Sequence, residues 1–582
     1  MGPVLWKEGI SAFGHKAQKI LFRRFKTEYQ SWVDHHHLLK TDIAERKQQI
    51  RSFSQQPKIS IIMPVYDVKK KWLKRAVRSV FNQIYENWEL CLVDDASTQK
   101  HIKRMLSKYR RHPKVKTLFS NQNQGIAAAT NKGWALAEGE YVGFLDHDDE
   151  LSKDALFEAA KLINRYPDAD VIYSDEDKTD PKQHRFQPFF KPDYSPDWLL
   201  SFNYICHFLV CRTQLLREVD GLRQGFEGSQ DYDLILRLTE RTQHIYHIPK
   251  VLYHWRQVRG STSMDHKEKK DHIANSIKAL SQALTRRGIE GFVEKGIHFD
   301  QFESYRVKRN IKHPSLVSII IPTKDKIPLL KRCVQSIREK TDYPHYEVIV
   351  VDNQSQEPET ESYLSELTTE KDIQVIPFHK EYNFSKINNF AVSHAKGDHI
   401  LFLNNDTQVI SQGWLSAMLE HSQRQEVGAV GAKLVYPDDT IQHAGTIIGL
   451  GGVAAHSHKK FPLSHNGYFG SLNVIRNYSA VTAACMMLRK KVFEEAGGFD
   501  EVNLPVGFND VDLCLEMRNR GYLIVYTPYA ALYHYETQSR SQYLNPDEVE
   551  FMKKKWGEQL AADPYYNPNL STDSEDFQIK KV

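Results

Sequence analysis

The chain repeats itself, and that limits what it can fold into. Val317-Ser-Ile-Ile-Ile-Pro returns to Ile59-Ser-Ile-Ile-Met-Pro, so that Pro64 and Pro322 are 258 residues apart. Val350-Val-Asp-Asn returns to Val93-Asp-Asp, and Gly397-Asp-His-Ile-Leu-Phe-Leu-Asn-Asn-Asp returns to the stretch from Gly139 to Asp148; Asp94 and Asp352, like Asp148 and Asp406, are again 258 apart. Further on, Asp231 and Asp510 open matching Asp-x-Asp-Leu runs at an offset of 279, and Leu252-Tyr-His-Trp matches Leu532-Tyr-His-Tyr at 280. Units this long are domains rather than the ~20–50-residue turns of a solenoid. The change of offset requires an insertion in the second copy, expected near the Gly-rich stretch Thr446 to Phe469 and read as a mobile lid.

Each copy begins in the same way. Ile59 to Val65 is apolar and stopped by turn residues. Leu73, Ala76, Val77, Val80 and Phe81 then recur at helical spacing, and Leu90-Cys-Leu-Val-Asp-Asp is a second apolar run ending in acids. Strand, amphipathic helix and strand make a βαβ unit, so the fold class is α/β with a parallel sheet in each domain. The boundaries expected are a basic amphipathic N-terminal region at 1–56, a first domain at 57–261, a helical linker at 262–313, a second domain at 314–545, and a C-terminal helix with a polar, frayed tail at 546–582.

Ligands of parallel sheets bind beyond the carboxyl ends of the strands, where Tyr66, Asp94 and Asp95 fall in the first copy. The richest strand end is Tyr141-Val-Gly-Phe-Leu-Asp-His-Asp-Asp-Glu, an apolar run meeting Asp146, Asp148, Asp149 and Glu150. Clustered carboxylates of this kind suit Mg²⁺ or Mn²⁺, ions that commonly hold substrate phosphates. Asp231 and Asp510 precede helices, where the helix dipole favours a negative charge. Trp198, Trp255 and Trp414 read as core aromatics rather than sugar-stacking faces, and His443, His456, His458 and His465 could bind metal or acceptor but read better as part of the lid.

Charge and cysteine usage exclude other classes. A net charge of +5 over 582 residues leaves no nucleic-acid footprint. The six cysteines lack zinc spacing and sit mostly in apolar runs, as thiols of a reducing compartment do. No apolar run is long enough to span a membrane, and no secretory signal is evident. The expected address is cytoplasmic. Ile20, Leu21, Phe22, Phe25 and Tyr29 among Lys16, Lys19, Arg23, Arg24 and Lys26 suit either a helix lying on an anionic membrane face or one packed on the first domain with a solvated basic face.

The ordered set SIIMPVYD, VDDAS, NQG, FLDHDD, QDYDL and YHWR, with SIIIPTKD, VDNQS, YNFSKINN, FLNND, FNDVDLC and YHYE in the second copy, resembles the inverting GT-A glycosyltransferases of family 2. The layout is similar to the tandem transferases of bacterial rhamnan, O-antigen and capsule assembly. The resemblance implies two Rossmann-like GT-A domains and, residue by residue, roles in each. Tyr66, Asp94 and Asp95, with Thr323 and Asp352, would hold the nucleotide of the donor. Asp146 and Asn404 would lie against its diphosphate; Asp148 with His254, and Asp406 with His534, would bind the divalent cation. Asp231 and Asp510 would be the general bases. Ser201 to His207 and Ser479 to Cys485 would wall the acceptor. The Asn-Asn-Asp form of the second copy is similar to that of rhamnosyltransferases, so the implied donor is dTDP-L-rhamnose and the implied acceptor a lipid-linked cell-surface saccharide. Transferases that use UDP-hexoses or UDP-hexosamines, or a pairing of one catalytic domain with a saccharide-binding one, fit the same motifs.

Overall fold

The computed structural model describes residues 28–257, 266–299, 303–536 and 545–581, with the backbone alone at 266–270. The first half places β1 (Ile59–Val65), β2 (Trp88–Asp94), β3 (Val115–Phe119), β4 (Tyr141–Phe144), β5 (Glu150–Leu151), β6 (Val171–Thr179), β7 (Arg185–Phe189), β8 (Val210–Arg212) and β9 (Ile245–Arg256) in one sheet of order β3-β2-β1-β4-β8-β6-β9-β5, β7 pairing with β6. A hairpin of β10 (Gly291–Lys295) and β11 (Tyr305–Arg309) then leads into the second half. There the strands are β12 (Val317–Thr323), β13 (Tyr346–Asp352), β14 (Ile373–Pro377), β15 (His399–Leu403), β16 (Thr407–Val409), β17 (Val427–Val435), β18 (Ile441–His443), β19 (Thr446–Ile448), β20 (Ala454–His456), β21 (Arg476–Tyr478), β22 (Cys485–Arg489) and β23 (Leu523–His534). The second sheet runs β14-β13-β12-β15-β22-β17-β23-β16, strand for strand the order of the first. These are two tandem Rossmann-like domains.

The central strands are fully buried because helices cover both faces, as parallel sheets require. The helix Lys70–Phe81 turns Trp72, Leu73, Ala76, Val77 and Val80 inward and its lysines and arginines outward. A second contact fixes β1, β2 and the entry to β4 together. Ser60 donates to Glu89 (2.6 Å) and accepts from the Gly139 amide (2.9 Å); Ser318, Glu347 and Gly397 repeat this at 2.7 and 2.9 Å. The glycines are needed there, since a Cβ on Gly139 or Gly397 would meet the Lys58 or Leu316 carbonyl oxygen at 2.5 Å.

Three expectations are corrected. The inserted segment, Thr446 to Phe469, which carries β19 and β20, is packed into the structure rather than poised as a mobile lid. Ile447, Ile448, Leu450 and His458 are buried, and Phe469 stacks on Phe189 of the first domain at 3.9 Å. The tail after the helix Pro546–Leu560 is not frayed. Tyr566, Leu570, Phe577 and Ile579 are buried, and Asn567 donates from its side chain to the Asp175 carboxylate (3.0 Å) and the Lys191 carbonyl (2.7 Å). Tyr29 does not face a membrane either. It is fully buried, edge-on to Phe190, and its hydroxyl donates to Asp177 at 2.6 Å. Ile20, Leu21, Phe22 and Phe25 lie outside the described residues.

The domains are joined by a buried polar cluster. Asp197 accepts from Arg424 (2.6 Å) and from the Asn477 amide (2.8 Å), lies 3.9 Å from Arg309, and is about 2% exposed. Burial opposes its charge, but Arg424 and Arg309 outweigh that and hold its carboxyl below the usual range. A depressed carboxyl stabilises the fold above the unfolded value near pH 4 and ceases to do so as pH falls through the folded value. Asp197→Ala strands two buried guanidinium groups, which should cost about 3 kcal/mol. Chemical denaturation should show that loss at neutral pH, together with a smaller difference between variant and parent in strong acid. Equal stability at neutral pH would mean that the cluster does not hold the domains.

Candidate active site

The two nucleotide-facing corners expected from the sequence are built alike but not identically. Asp94 ends β2 fully buried; its Oδ1 accepts the Ser97 amide (3.0 Å), while its Oδ2 has no hydrogen-bond partner among the described residues. A buried carboxylate oxygen left open in this way costs free energy unless a ligand supplies a donor. Asp352 keeps the same turn through the Ser355 amide at 3.1 Å. Tyr66 stands beside Asp94, 45% exposed, as a free aromatic face. Asp95 is otherwise engaged. Its oxygens take the Gln124 amide (3.1 Å) and the Gly125 amide (2.8 Å), so it shapes the Asn-Gln-Gly turn.

Thr323 takes the place that the constant spacing of 258 gives it. β1 pairs Val65 with Asp94 and β12 pairs Thr323 with Asp352, so Thr323 is the counterpart of Val65, and Lys324 that of Tyr66. Thr323 is buried and its hydroxyl accepts the Asn405 side chain at 2.9 Å. The aromatic corner of the first copy is therefore a lysine corner in the second.

Asp146, Asp148 and Asp149 crowd the end of β4. Tyr253 reaches back to them, donating to Asp149 at 2.6 Å and standing 3.3 Å from the Asp146 amide. Burial raises the Asp148 carboxyl, the neighbouring Asp146 adding to it, and raises Asp149 well above its usual range together with both neighbours. The cluster is short of positive charge, which is the electrostatic condition a divalent cation would relieve. His207, stacked on Tyr253 at 4.4 Å, supplies part of it. Burial opposes charging His207, yet the Glu176 carboxylate 3.2 Å from its Nδ1, with Asp146 and Asp149, pushes it up to about 9. Glu176 is itself buried; Lys191 and His207 hold it down to about 2.

In the second copy, Asp406, His534 and Asn404 meet directly. His534 Nε2 lies 3.1 Å from Asp406 Oδ1 and 3.2 Å from the Asn404 amide nitrogen. The first copy differs here by a one-residue slide. β5 pairs Glu150 with His254 and β16 pairs Thr407 with His534, so Trp255 occupies the register of His534. His254 donates from Nδ1 to Asp177 (2.6 Å) instead, and no ion pair joins it to Asp148 among the described residues. Among the described residues no group of three His, Cys, Asp or Glu side chains is arranged as a metal centre. The residues that fit a cation are thus Asp146 and Asp148 in the first copy, and Asp406, His534 and the Asn404 amide oxygen in the second.

The two prospective bases stand in the first turns of matching helices, Gln230–Leu238 and Asn509–Asn519. Asp231 accepts from the Asn203 side chain at 3.0 Å and Asp510 from the Ala483 amide at 3.0 Å, so the segments Ser201 to His207 and Ser479 to Cys485 do lie against them. Asp233 and Asp512, by contrast, are structural. Asp233 pairs with Arg223 and Arg237, and Asp512 accepts from Lys555 and Trp556. Trp198 and Trp414 are core residues, about 1% exposed or less, while Trp255 is partly open beneath the Lys178 ammonium.

The family model for glycosyl transferase family 2 matches residues 60–220 and again 318–497, one match per sheet. The chain belongs to that family. It is 41% identical over 571 residues to the uncharacterized protein y4gI of Sinorhizobium fredii, a match covering 96% of this chain and 62% of that protein. It is 37% identical over 561 residues to the O-antigen biosynthesis protein RfbC of Myxococcus xanthus, covering 95% of this chain and 43% of that one. A shorter stretch, 240 residues and 40% of the chain, is 28% identical to the chondroitin synthase of Escherichia coli, covering 34% of that enzyme. The chain therefore spans less than two thirds of the length of these relatives. The strand order makes both halves GT-A domains, the architecture in which this family uses nucleotide-sugar donors.

His207 and its Glu176 support were not singled out by the motifs, because the pairing joins β6 to the loop before β8, 31 residues apart in the chain. Glu176→Gln should bring the His207 titration down from about 9 toward or below the ordinary histidine range, read by histidine-selective NMR. Since the folded value is raised, the charged pair contributes stability below the unfolded value near pH 6.5 and loses it as pH rises through about 9. An unmoved midpoint would assign the charge to other neighbours.

Proposed function

We propose that this chain is a bifunctional inverting glycosyltransferase in which each domain adds a sugar, with dTDP-L-rhamnose as donor and a lipid-linked cell-surface saccharide as acceptor. The observation that carries the two-site reading is the duplicated pair of half-buried aspartates, Asp231 and Asp510, each at a helix start and each steadied by one hydrogen bond from the acceptor-side segment. A binding module has no need of the second. The donor assignment is supported by the Asn404-Asn405-Asp406 form of the second site and by the kinship with an O-antigen biosynthesis protein.

In this mechanism the nucleotide base meets the open Asp94 oxygen and the Tyr66 face in the first site, and Asp352 beside Lys324 in the second. A divalent cation held at Asp148 and at Asp406 with His534 would supply positive charge to the leaving diphosphate. Asp231 or Asp510 accepts the proton of the acceptor hydroxyl as that oxygen bonds to the anomeric carbon from the face opposite the departing diphosphate. One displacement inverts the configuration, and no covalent enzyme intermediate is formed. The imidazolium of His207 offsets the extra carboxylate, Asp146, that the first site carries where the second has Asn404.

A second reading keeps the chemistry and changes the donor to a UDP-hexose or UDP-hexosamine; the likeness to a chondroitin synthase favours it. Both are decided by nucleotide release from dTDP-rhamnose, UDP-glucose, UDP-galactose and UDP-GlcNAc with Mg²⁺ or Mn²⁺ and a rhamnose-tipped acceptor. The expected result is turnover of dTDP-rhamnose, with Asp231→Asn and Asp510→Asn each slowing one linkage by ~10²–10⁴-fold and stalling at different short products. Consumption of a UDP-sugar instead would replace the donor, and a variant indistinguishable from the parent would leave one active domain. In the same series Asp94→Asn should weaken binding of the nucleoside diphosphate about tenfold, the cost of one mismatched buried hydrogen bond, by calorimetry.

A further inference from the structure

The acceptor-side segments of the two domains are fastened to each other inside the molecule. The helix Pro196–Ser201 runs directly into the wall beside Asp231, and β21 runs directly into the wall beside Asp510. Between helix and strand stands Asn477, fully buried. Its Oδ1 accepts from the Ser195 hydroxyl (2.9 Å) and the Asp197 amide (3.1 Å), and its Nδ2 donates to Asp197 Oδ2 (2.8 Å). Its backbone amide donates to the Ser195 hydroxyl at 3.2 Å. Both polar atoms of the Asn477 side chain are thus bonded to the other domain. Each end is in turn tied twice to the helix of its own base. In the first domain the Tyr232 hydroxyl donates to the Leu199 carbonyl (2.5 Å) and the Asn203 side chain to Asp231 (3.0 Å). In the second, Arg518 donates to the Ser479 hydroxyl (2.8 Å) and the Ala483 amide to Asp510 (3.0 Å). Asn203 lies six residues after Asp197, and Ala483 six after Asn477. A packed interior does not absorb small shifts, so a buried chain of hydrogen bonds passes displacement from one end to the other.

We infer that Asn477 is a positioning residue for both acceptor sites. It sets the wall at Asn203 beside Asp231 and the wall at Ala483 beside Asp510, so a residue of the second domain governs how the first receives its saccharide. The inference rests on the reading of Asp231 and Asp510 as the two bases. Both walls are braced against one buried point rather than against separate surfaces, and neither domain completes its acceptor site alone. That gives the tandem arrangement a use beyond proximity, because misplacing a reacting group by about 1 Å can cost ~10²-fold in rate.

The test uses the full chain. Asp510→Asn leaves the first site as the one counted and Asp231→Asn the second, with nucleotide release read from whichever of the four nucleotide-sugars is consumed and the rhamnose-tipped acceptor. In the Asp510→Asn chain, Asn477→Ala should raise the KM for acceptor at the first site ~10-fold and leave the KM for donor within about twofold. In the Asp231→Asn chain, Ser195→Ala, a change in the first domain, should do the same at the second site. The exchange Asp197→Asn with Asn477→Asp reverses donors and acceptors at unchanged net charge, and should restore the acceptor KM. Independently of turnover, hydrogen exchange in Asn477→Ala should quicken ~10-fold at 198–205 and 479–485, while β1 and β12 keep their parental rates. An unmoved acceptor KM, or unmoved exchange at either wall, in a folded Asn477→Ala would overturn the inference and leave the contact a structural fastening. Donor and acceptor KM rising together would overturn it too, since a general loosening does that. A base variant that behaves like the parent would remove the reading of the bases, and the inference with it.

Discussion

A carboxylate drawn out of water costs several kcal/mol unless charge or hydrogen bonds are returned to it. Both domains are organised around meeting that requirement at the ends of buried strands. β1, β2 and β4, like β12, β13 and β15, must be apolar to lie between helices, yet each pair of sheets delivers acids at the carboxyl edge. Some acids are satisfied by the chain itself: Asp95 by two backbone amides, Glu89 by Ser60 and Lys58, Asp233 by two arginines. Others are left incompletely satisfied: the Asp94 oxygen, the Asp146–Asp149 cluster, the Asp406–His534 contact. The contrast between the two groups separates scaffold from reaction centre more sharply than the motifs do.

The two halves have parted in chemistry while keeping one strand order. The first site has Tyr66, Asp146 and a charged His207; the second has Lys324, Asn404 and, just before β22, Ala484 in place of the histidine. In the first half an imidazolium balances an added carboxylate. In the second, an amide replaces the carboxylate and the need for the imidazolium disappears. Such exchanges conserve the field at the strand ends and alter the surfaces that a sugar or a base would touch.

The fold and most of the site were legible in the sequence because their causes are local or periodic. A constant spacing of 258 residues fixed which aspartates correspond, and apolar runs ending in acids located the strand ends. What escaped was decided between distant strands. The shared Leu-Tyr-His pattern suggested that His254 and His534 are equivalent, but pairing across β5–β9 and β16–β23 slides one strand by a residue. The insertion looked mobile because it is rich in glycine; its burial depends on the first domain and the tail, neither of which its own composition reports.

The tail also sets a schedule. Asp175 lies in the first domain, and Asn567, which closes over it, follows 392 residues later. At the pace of synthesis, ~5–20 residues per second, that contact waits on the order of 20–80 s after Asp175 has been made. Until then Asp175 is held by the Lys191 amide and His247 alone among the described residues. Asn567 is therefore a late clasp on a domain made early, and a chain released before that residue leaves its early half folded but not sealed.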